Sequence, residues 1–335
     1  MDYFLAGDLG GTKTILALYA ATEQGYTLIR EQRFFSGDYD EFSGIIAEFL
    51  RGSDNHPQVA VFGVAGPVAD GKVRMTNLGW FIDQEVLRER FQLAEVRLLN
   101  DLVAVAQSVS SLASEDLLVV NAGTVVPQGS MAVLAPGTGL GEAYLCWDGA
   151  GYSAYPSEGG HADFAPTSEM EQALLSFLLA EQDHVSYEMV CSGTGIPNIY
   201  RYLTQGAGMK VPPDLQAALD AVTDITPVLM GQALGKTGEV ARLTLEIFFS
   251  ILAAEAGNMA IKFLATGGLY LGGGMLPRLL PAFDSKRFMA RFAGKGRMAG
   301  ILATIPVRII MTDRAGLNGA AIIAFQTMQK HHGYR

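Results

Sequence analysis

Two turns rich in glycine and threonine, each at the end of an apolar run, constrain this chain more than any other feature. Gly7-Asp8-Leu9-Gly10-Gly11-Thr12 follows the apolar residues 3–6 and precedes the strand-like residues 15–19. Gly137-Thr138-Gly139-Leu140-Gly141 follows residues 131–135 and precedes residues 143–147. Glycines let a backbone bend so that its N–H groups face a common centre, and threonine adds a hydroxyl, which suits phosphate oxygens. A single turn of this kind also serves as an ordinary hairpin connection. Its recurrence about 130 residues later points to two half-domains facing one nucleotide. Asp8 adds a condition: an acid inside a phosphate-binding turn repels phosphate unless a divalent cation or its water shell lies between them.

Composition narrows the class. The 335 residues are enough for two domains and a large core, and 49% hydrophobic against 17% charged residues excludes a disordered chain. A net charge of −10 and a pI near 5.0 argue against a nucleic-acid partner. The chain enters its first strand without a basic leader or cleavage site, so secretion is not expected. The longest apolar stretch, residues 241–271, is interrupted by Arg242, Glu246, Glu255 and Lys262, which suits a buried helix and not a membrane span. Cys146 and Cys191 lack a CxxC partner and read as core thiols in a reducing cytoplasm.

Apolar spacing predicts strands on both sides of the first turn, a third strand over 27–35, a helix over 41–51, and strands at 59–64 and 96–99. A helix is expected at 102–112. From residue 131 a similar series begins, ending in a long helix at 239–265, a strand over 302–311 and a terminal helix over 315–328; residues 204–216 read as a loop. The order is that of an α/β fold with mixed sheets. Two apparent P-loops fail. Gly66 to Lys72 is followed by Val73 where a metal-binding hydroxyl is required, and Gly235-Lys236-Thr237 has Met230 at the required upstream glycine. The dinucleotide signature fails as well, because Glu142 falls where its last glycine would stand.

Asn100-Asp101 ends a buried strand, where a carboxylate held by the sheet suits a general base and where either residue also suits a helix N-cap. Glu158-Gly159-Gly160-His161 forms an irregular loop able to bring a carboxylate and an imidazole to a polyol; two ligands without a third argue against a metal site. On its own Glu188 reads as a surface helix charge, ahead of the apolar 189–191 and then Ser192-Gly193-Thr194-Gly195. In residues 267–275 a short apolar strand flanked by glycines leads into a helix, which lets a flat ring lie against backbone.

Taken together, these motifs, with Ala162-Asp163-Phe164-Ala165-Pro166 after His161, resemble bacterial glucokinase of the hexokinase-like group, in order and over essentially the whole chain. The resemblance implies the two-domain actin, Hsp70 and hexokinase (ribonuclease H-like) fold, with a cleft between domains that close on ATP and sugar. It implies a small α/β domain of residues 1–110 plus 301–335 and a large one of 111–300. It implies ATP-dependent phosphorylation of the 6-hydroxyl of D-glucose, the first step of glycolysis, in a cytoplasmic homodimer without membrane or nucleic-acid partners.

By the same resemblance, Gly7, Asp8, Leu9, Gly10, Gly11 and Thr12 form one phosphate loop, with Asp8 reaching Mg²⁺ through water. Gly137, Thr138 and Gly139 form the other, and Gly272, Gly273, Gly274 and Met275 border the adenosine. Asn100, Asp101, Glu158, His161 and Glu188 contact glucose, and Asp101 is the catalytic base. The cysteine-rich zinc cluster of related ROK-type sugar kinases is absent from this sequence, and Lys13 stands where many glucokinases have Asn. A nucleotide-switched binding protein of the same fold would need no clustered Asn, Asp, Glu and His. A sensor without catalysis would have lost Asp101.

Overall fold

The computed structural model describes residues 2–75, 77–235 and 238–331, so Lys236 and Thr237 of the rejected second P-loop lie outside it. The chain forms two compact units: Met1–Ala113, Asp148–Pro156 and Thr312–Arg335 make the first, and Ser114–Trp147 and Ser157–Met311 the second.

In the first unit β1 (Asp2–Leu9), β2 (Lys13–Thr22), β3 (Gly25–Phe35), β4 (Pro57–Val64) and β7 (Glu95–Asn100) form a sheet of order β3-β2-β1-β4-β7; β5 (Lys72–Met75) and β6 (Trp80–Asp83) pair separately. The β1–β2 and β2–β3 pairs are antiparallel, whereas β1, β4 and β7 run parallel. Because side chains alternate across a strand, β1 needs apolar residues at both parities to bury both faces. Phe4 and Ala6 pack with Leu317, Ala320, Ala321 and Ala324 of the helix Ala315–His331. Leu5 and Leu9 pack on the other side with Phe42, Ile45, Ile46 and Phe49 of the helix Phe42–Leu50.

A second sheet consists of β8 (Leu117–Asn121), β9 (Met131–Pro136), β10 (Leu140–Trp147), β11 (Tyr152–Ser157), β12 (Gly268–Leu271) and β13 (Val307–Ile310), in the order β11-β10-β9-β12-β13-β8. Here too the β9–β10 hairpin is antiparallel and β9, β12 and β13 are parallel. The order β3-β2-β1-β4-β7 therefore recurs as β11-β10-β9-β12-β13, with a Gly-Thr turn joining the first two strands in each. The 24-residue helix Glu239–Lys262 runs through the second unit's core, burying Phe248, Ile251, Leu252 and Ala256.

Several expected boundaries move. Gly7, Asp8 and Leu9 belong to β1, so the first turn proper is Gly10-Gly11-Thr12. The expected strand over 302–311 divides at Pro306: residues 302–304 end the helix Ala299–Thr304, and only Val307–Ile310 pair as β13. An apolar run cannot by itself distinguish a buried helix turn from a buried strand. Within the expected 204–216 loop, Pro213 starts the helix Pro213–Asp220, a first-turn position where its missing N–H costs nothing. The helix expected at 102–112 is Asp101–Ser108. Residues 301–311 group with the second unit, through β13, and 148–156 with the first, where the Gln107 side chain bonds the backbone of Tyr152 and Ala154.

Candidate active site

In the first unit the chemistry gathers at the carboxyl ends of the parallel strands, where α/β sheets expose side chains without disturbing the ladder. Asp8 pairs in register with Gly63 of β4, and Gly63 with Leu99 of β7, so Asp8 stands two strands from Asn100-Asp101. Gly63 allows the close packing between them: a methyl group there would sit 3.0 Å from Ala104 Cβ and 3.8 Å from Asp101 Cα. Asn100 caps the helix Asp101–Ser108, accepting from Leu102 N–H at 3.0 Å, and its amide donates to the Gly66 carbonyl at 3.2 Å. Asp101 Oδ1 accepts from the same N–H at 2.9 Å. Burial raises the Asp101 pKa, and that backbone hydrogen bond acts against it. The cap thus falls on Asn100, with the half-buried acid Asp101 directly beside it.

Asp8 is raised to about 6, first by burial, then by the Asp101 charge, with Lys13 opposing and Asp313 reinforcing. A methyl group at Gly316, in the first turn of the helix Ala315–His331, would lie 3.0 Å from the Asp8 carboxyl carbon, so that helix starts directly against it. Lys13 pairs with Asp313, at 3.1 Å, which also takes Arg33 at 3.1 Å. Gly10 N–H is used by the Lys13 carbonyl at 2.9 Å, and Ser36 Oγ donates to the Gly10 carbonyl, leaving Gly11 and the exposed Thr12 at the apex. Gly7 is a packing glycine, since a methyl group there would meet Leu16 and Phe62 at 2.7 Å, and Leu9 is wholly buried.

In the second unit the Gly137-Thr138-Gly139 turn closes by Gly137 N–H donating to the Gly139 carbonyl at 2.8 Å. The Gly272–Met275 segment lies against the end of β9, the strand that leads into the Gly137 turn: Gly272 N–H donates to the Leu134 carbonyl at 2.9 Å, and Gly273, at φ +88°, has room for no side chain beside the Pro136 carbonyl. Glu158 and His161 are exposed neighbours with carboxylate and imidazole 3.9 Å apart across a short 3₁₀ turn. Glu188 is half-buried and is no helix-surface charge: its Oε2 accepts from Leu140 N–H at 2.9 Å, directly beneath Gly139, while its own N–H donates to the Gly160 carbonyl at 2.8 Å. The structure therefore brings Glu158, His161 and Glu188 together with the second Gly-Thr turn, and Asp8, Asn100 and Asp101 together in the first unit.

One buried acid was not singled out in the sequence as functional. Glu142, in β10, is 2% exposed, and a methyl group at Gly159 would collide with its carboxylate. It lies near the fully buried Glu255, which Lys262 and Asn258 bond at 3.4 and 2.8 Å. Burial, and then the Glu255 charge, push Glu142 up to about 8. The signal available in the sequence was a lone carboxylate inside the apolar run 140–147. Among the described residues no group of three or more His, Cys, Asp or Glu is arranged to hold a metal, and no helix is long and apolar enough to cross a membrane.

A repeated five-strand plan with a Gly-Thr turn in each copy, half-buried carboxylates at strand ends and a polar glycine loop is the plan of a sugar kinase. The glucokinase family matches residues 5–327, and the chain belongs to that family. It is 39% identical to the glucokinase of Nostoc sp. (strain PCC 7120) over 342 aligned positions, covering 97% of this chain and 99% of that one. The glucokinase of Helicobacter pylori (strain P12) is 34% identical, with 95% and 94% covered. The crystal structure of a glucokinase from an Antarctic psychrotroph superposes with a TM-score of 0.86 at 31% identity, covering 97% of this chain and 99% of that one. A ROK family glucokinase from Streptomyces griseus, solved in complex with glucose and AMPPNP, shares the fold at a TM-score of 0.61 and 18% identity, with 97% and 99% covered.

Proposed function

We propose that this chain transfers the γ-phosphoryl group of ATP to the 6-hydroxyl of D-glucose, giving glucose 6-phosphate and ADP, the entry step of glycolysis. Asp8 and Asp101 carry the chemistry of this reading: two half-buried acids at the ends of parallel strands, flanking Gly63. Asp101 accepts the hydroxyl proton as the sugar oxygen attacks. Its raised pKa brings its basicity closer to working pH, and the Leu102 N–H fixes one of its oxygens. The residues proposed to bind sugar hydroxyls are Asn100, Glu158, His161 and Glu188; carboxylates accept two such hydrogen bonds at once.

The turns at Gly10–Thr12 and Gly137–Gly139 hold the phosphate chain, and Gly272–Met275 borders the adenine and ribose. Gly7 and Leu9 shape the first turn from within β1. Asp8 fits a divalent cation carried in by the nucleotide: its carboxylate is half-buried and feels the Asp101 charge, and among the described residues it belongs to no group of three or more ligating side chains that would make a full protein cage. Bound there through water, Mg²⁺ supplies charge neutralisation of the transferring phosphoryl group. The fold is that of the actin, Hsp70 and hexokinase group. Family membership is the support for a cytoplasmic homodimer. The test is a coupled assay of hexoses against phosphoryl donors, with the phosphate position read by NMR. Glucose-dependent ADP release with phosphate on O6 is expected; ATP hydrolysis that glucose does not stimulate overturns the reading in favour of a nucleotide-switched binding protein.

A further inference from the structure

The Ser192-Gly193-Thr194-Gly195 motif plays no part in the chemistry above, yet the segment containing it is bonded at both ends to loops that do. At its start, Tyr187 N–H donates to the Ala162 carbonyl at 3.0 Å and Glu188 N–H to the Gly160 carbonyl at 2.8 Å, tying it to the Glu158–His161 loop. At its end, Gly193 N–H donates to the Gly137 carbonyl at 2.7 Å, and Thr194 N–H and Oγ1 both donate to the Thr138 carbonyl, at 3.2 and 3.0 Å. Glu188 Oε2 adds the bond from Leu140 N–H.

Between these ends the strap is stiff. Tyr187, Val190, Cys191 and Ser192 are buried, Ser192 Oγ donates to the Glu188 carbonyl at 2.7 Å and accepts from Gly195 N–H at 3.0 Å, and Thr226 Oγ1 pins the Gly193 carbonyl at 2.9 Å. Ser192 Oγ lies 3.0 Å from Thr194 Oγ1; each hydroxyl has one proton, so whichever donates across this contact releases its carbonyl, and the two hydroxyls lie in line between Glu188 and Thr138. A short, doubly anchored segment with buried hydrogen bonds cannot shift at one end without shifting at the other.

We infer that Ser192 and Thr194 are positioning residues that couple the sugar loop to the second phosphate turn, so that binding of donor and acceptor is synergistic within this unit. The inference rests on the assignment of glucose to the Glu158–His161 loop and of phosphate to the Gly137–Gly139 turn. Thr194 is exposed, so its hydroxyl has water as an alternative partner and its loss does not threaten the fold. Binding at two sites linked by such a network differs by a reciprocal factor, commonly fivefold or more.

The experiment is calorimetric titration of the full chain with D-glucose, with and without saturating Mg²⁺–AMPPNP. The unmodified protein binds glucose about five- to tenfold more tightly when the nucleotide is present. In Thr194→Val that ratio falls to within about twofold of unity, with glucose affinity in the absence of nucleotide unchanged, and Thr194→Ser restores it. Ser192→Ala, from the buried end of the same line, also lowers the ratio.

A ratio retained in Thr194→Val, no ratio in the unmodified protein, no rescue by Ser, or loss of glucose affinity itself in Thr194→Val each overturns the inference. Glu158→Ala separates this failure from that of the site assignment. Normal glucose binding in Glu158→Ala removes the sugar loop from the reading, whereas lost binding there together with retained coupling in Thr194→Val removes only the strap.

Discussion

Glu142 makes the stability of this protein depend on pH in a direction that can be worked out. Its carboxyl is held in its neutral form well above the ordinary range, at about 8 against 4.5, by burial and by Glu255. The folded chain therefore binds this proton more tightly than the unfolded one, and stability falls as pH rises from about 4.5 to about 8. At about 1.36 kcal/mol for each tenfold difference in proton affinity, the upper bound over that window is about 5 kcal/mol. Water entry and relaxation around the ionised group reduce the expected loss to about 2–3 kcal/mol. In Glu142→Gln the shape is kept and the proton removed. With about 2–4 °C of melting temperature per kcal/mol for a unit of this size, the variant should gain roughly 5–10 °C on the unmodified protein between pH 5.5 and pH 8.5. Thermal unfolding of both proteins at the two pH values, at matched ionic strength, reads this gap directly. A gap that does not change with pH refutes the assignment of a buried, protonated Glu142.

Asp8 combines stability and function in opposite senses. Because its pKa is raised to about 6, Asp8→Asn should melt higher than the unmodified protein at pH 7.5 while losing about two to three orders of magnitude in turnover, and the unmodified enzyme's kcat/KM for Mg²⁺–ATP should climb with pH through about 6. A variant that melts lower, or a flat profile between pH 5 and pH 7, contradicts the placement of Asp8. Gly139→Ala should displace the Glu188 carboxylate from Leu140 N–H, costing about 1–3 kcal/mol of stability and raising KM for both substrates. Steady-state kinetics with unchanged KM values for ATP and glucose would show that the turn tolerates the methyl group and does not depend on Glu188.

The repeated sheet was legible because each copy begins with the same local signal, an apolar run that stops at a Gly-Thr turn and resumes on its far side. The strand-end positions of Asp8 and Asp101 were legible for a related reason: each carboxylate closes an apolar run, a position set by local sequence. What escaped is what tertiary packing decides. Gly7 reads as a phosphate glycine until Leu16 and Phe62 are seen on either side of it. Glu188 reads as a surface charge until Leu140, 48 residues away in sequence, donates to it. Lys13 has no readable role without Asp313, which lies 300 residues away in sequence. The apolar run through Leu302 could not reveal that Pro306 divides a helix from a strand.

The central claim is that Asp101 takes the proton from the sugar hydroxyl. It is tested most directly by comparing glucose affinity and single-turnover ADP formation in Asp101→Ala. Glucose affinity within about threefold of the unmodified protein, with phosphoryl transfer slowed by ~10²- to 10⁴-fold, is the predicted result. Transfer at the unmodified rate would contradict it and assign the base elsewhere.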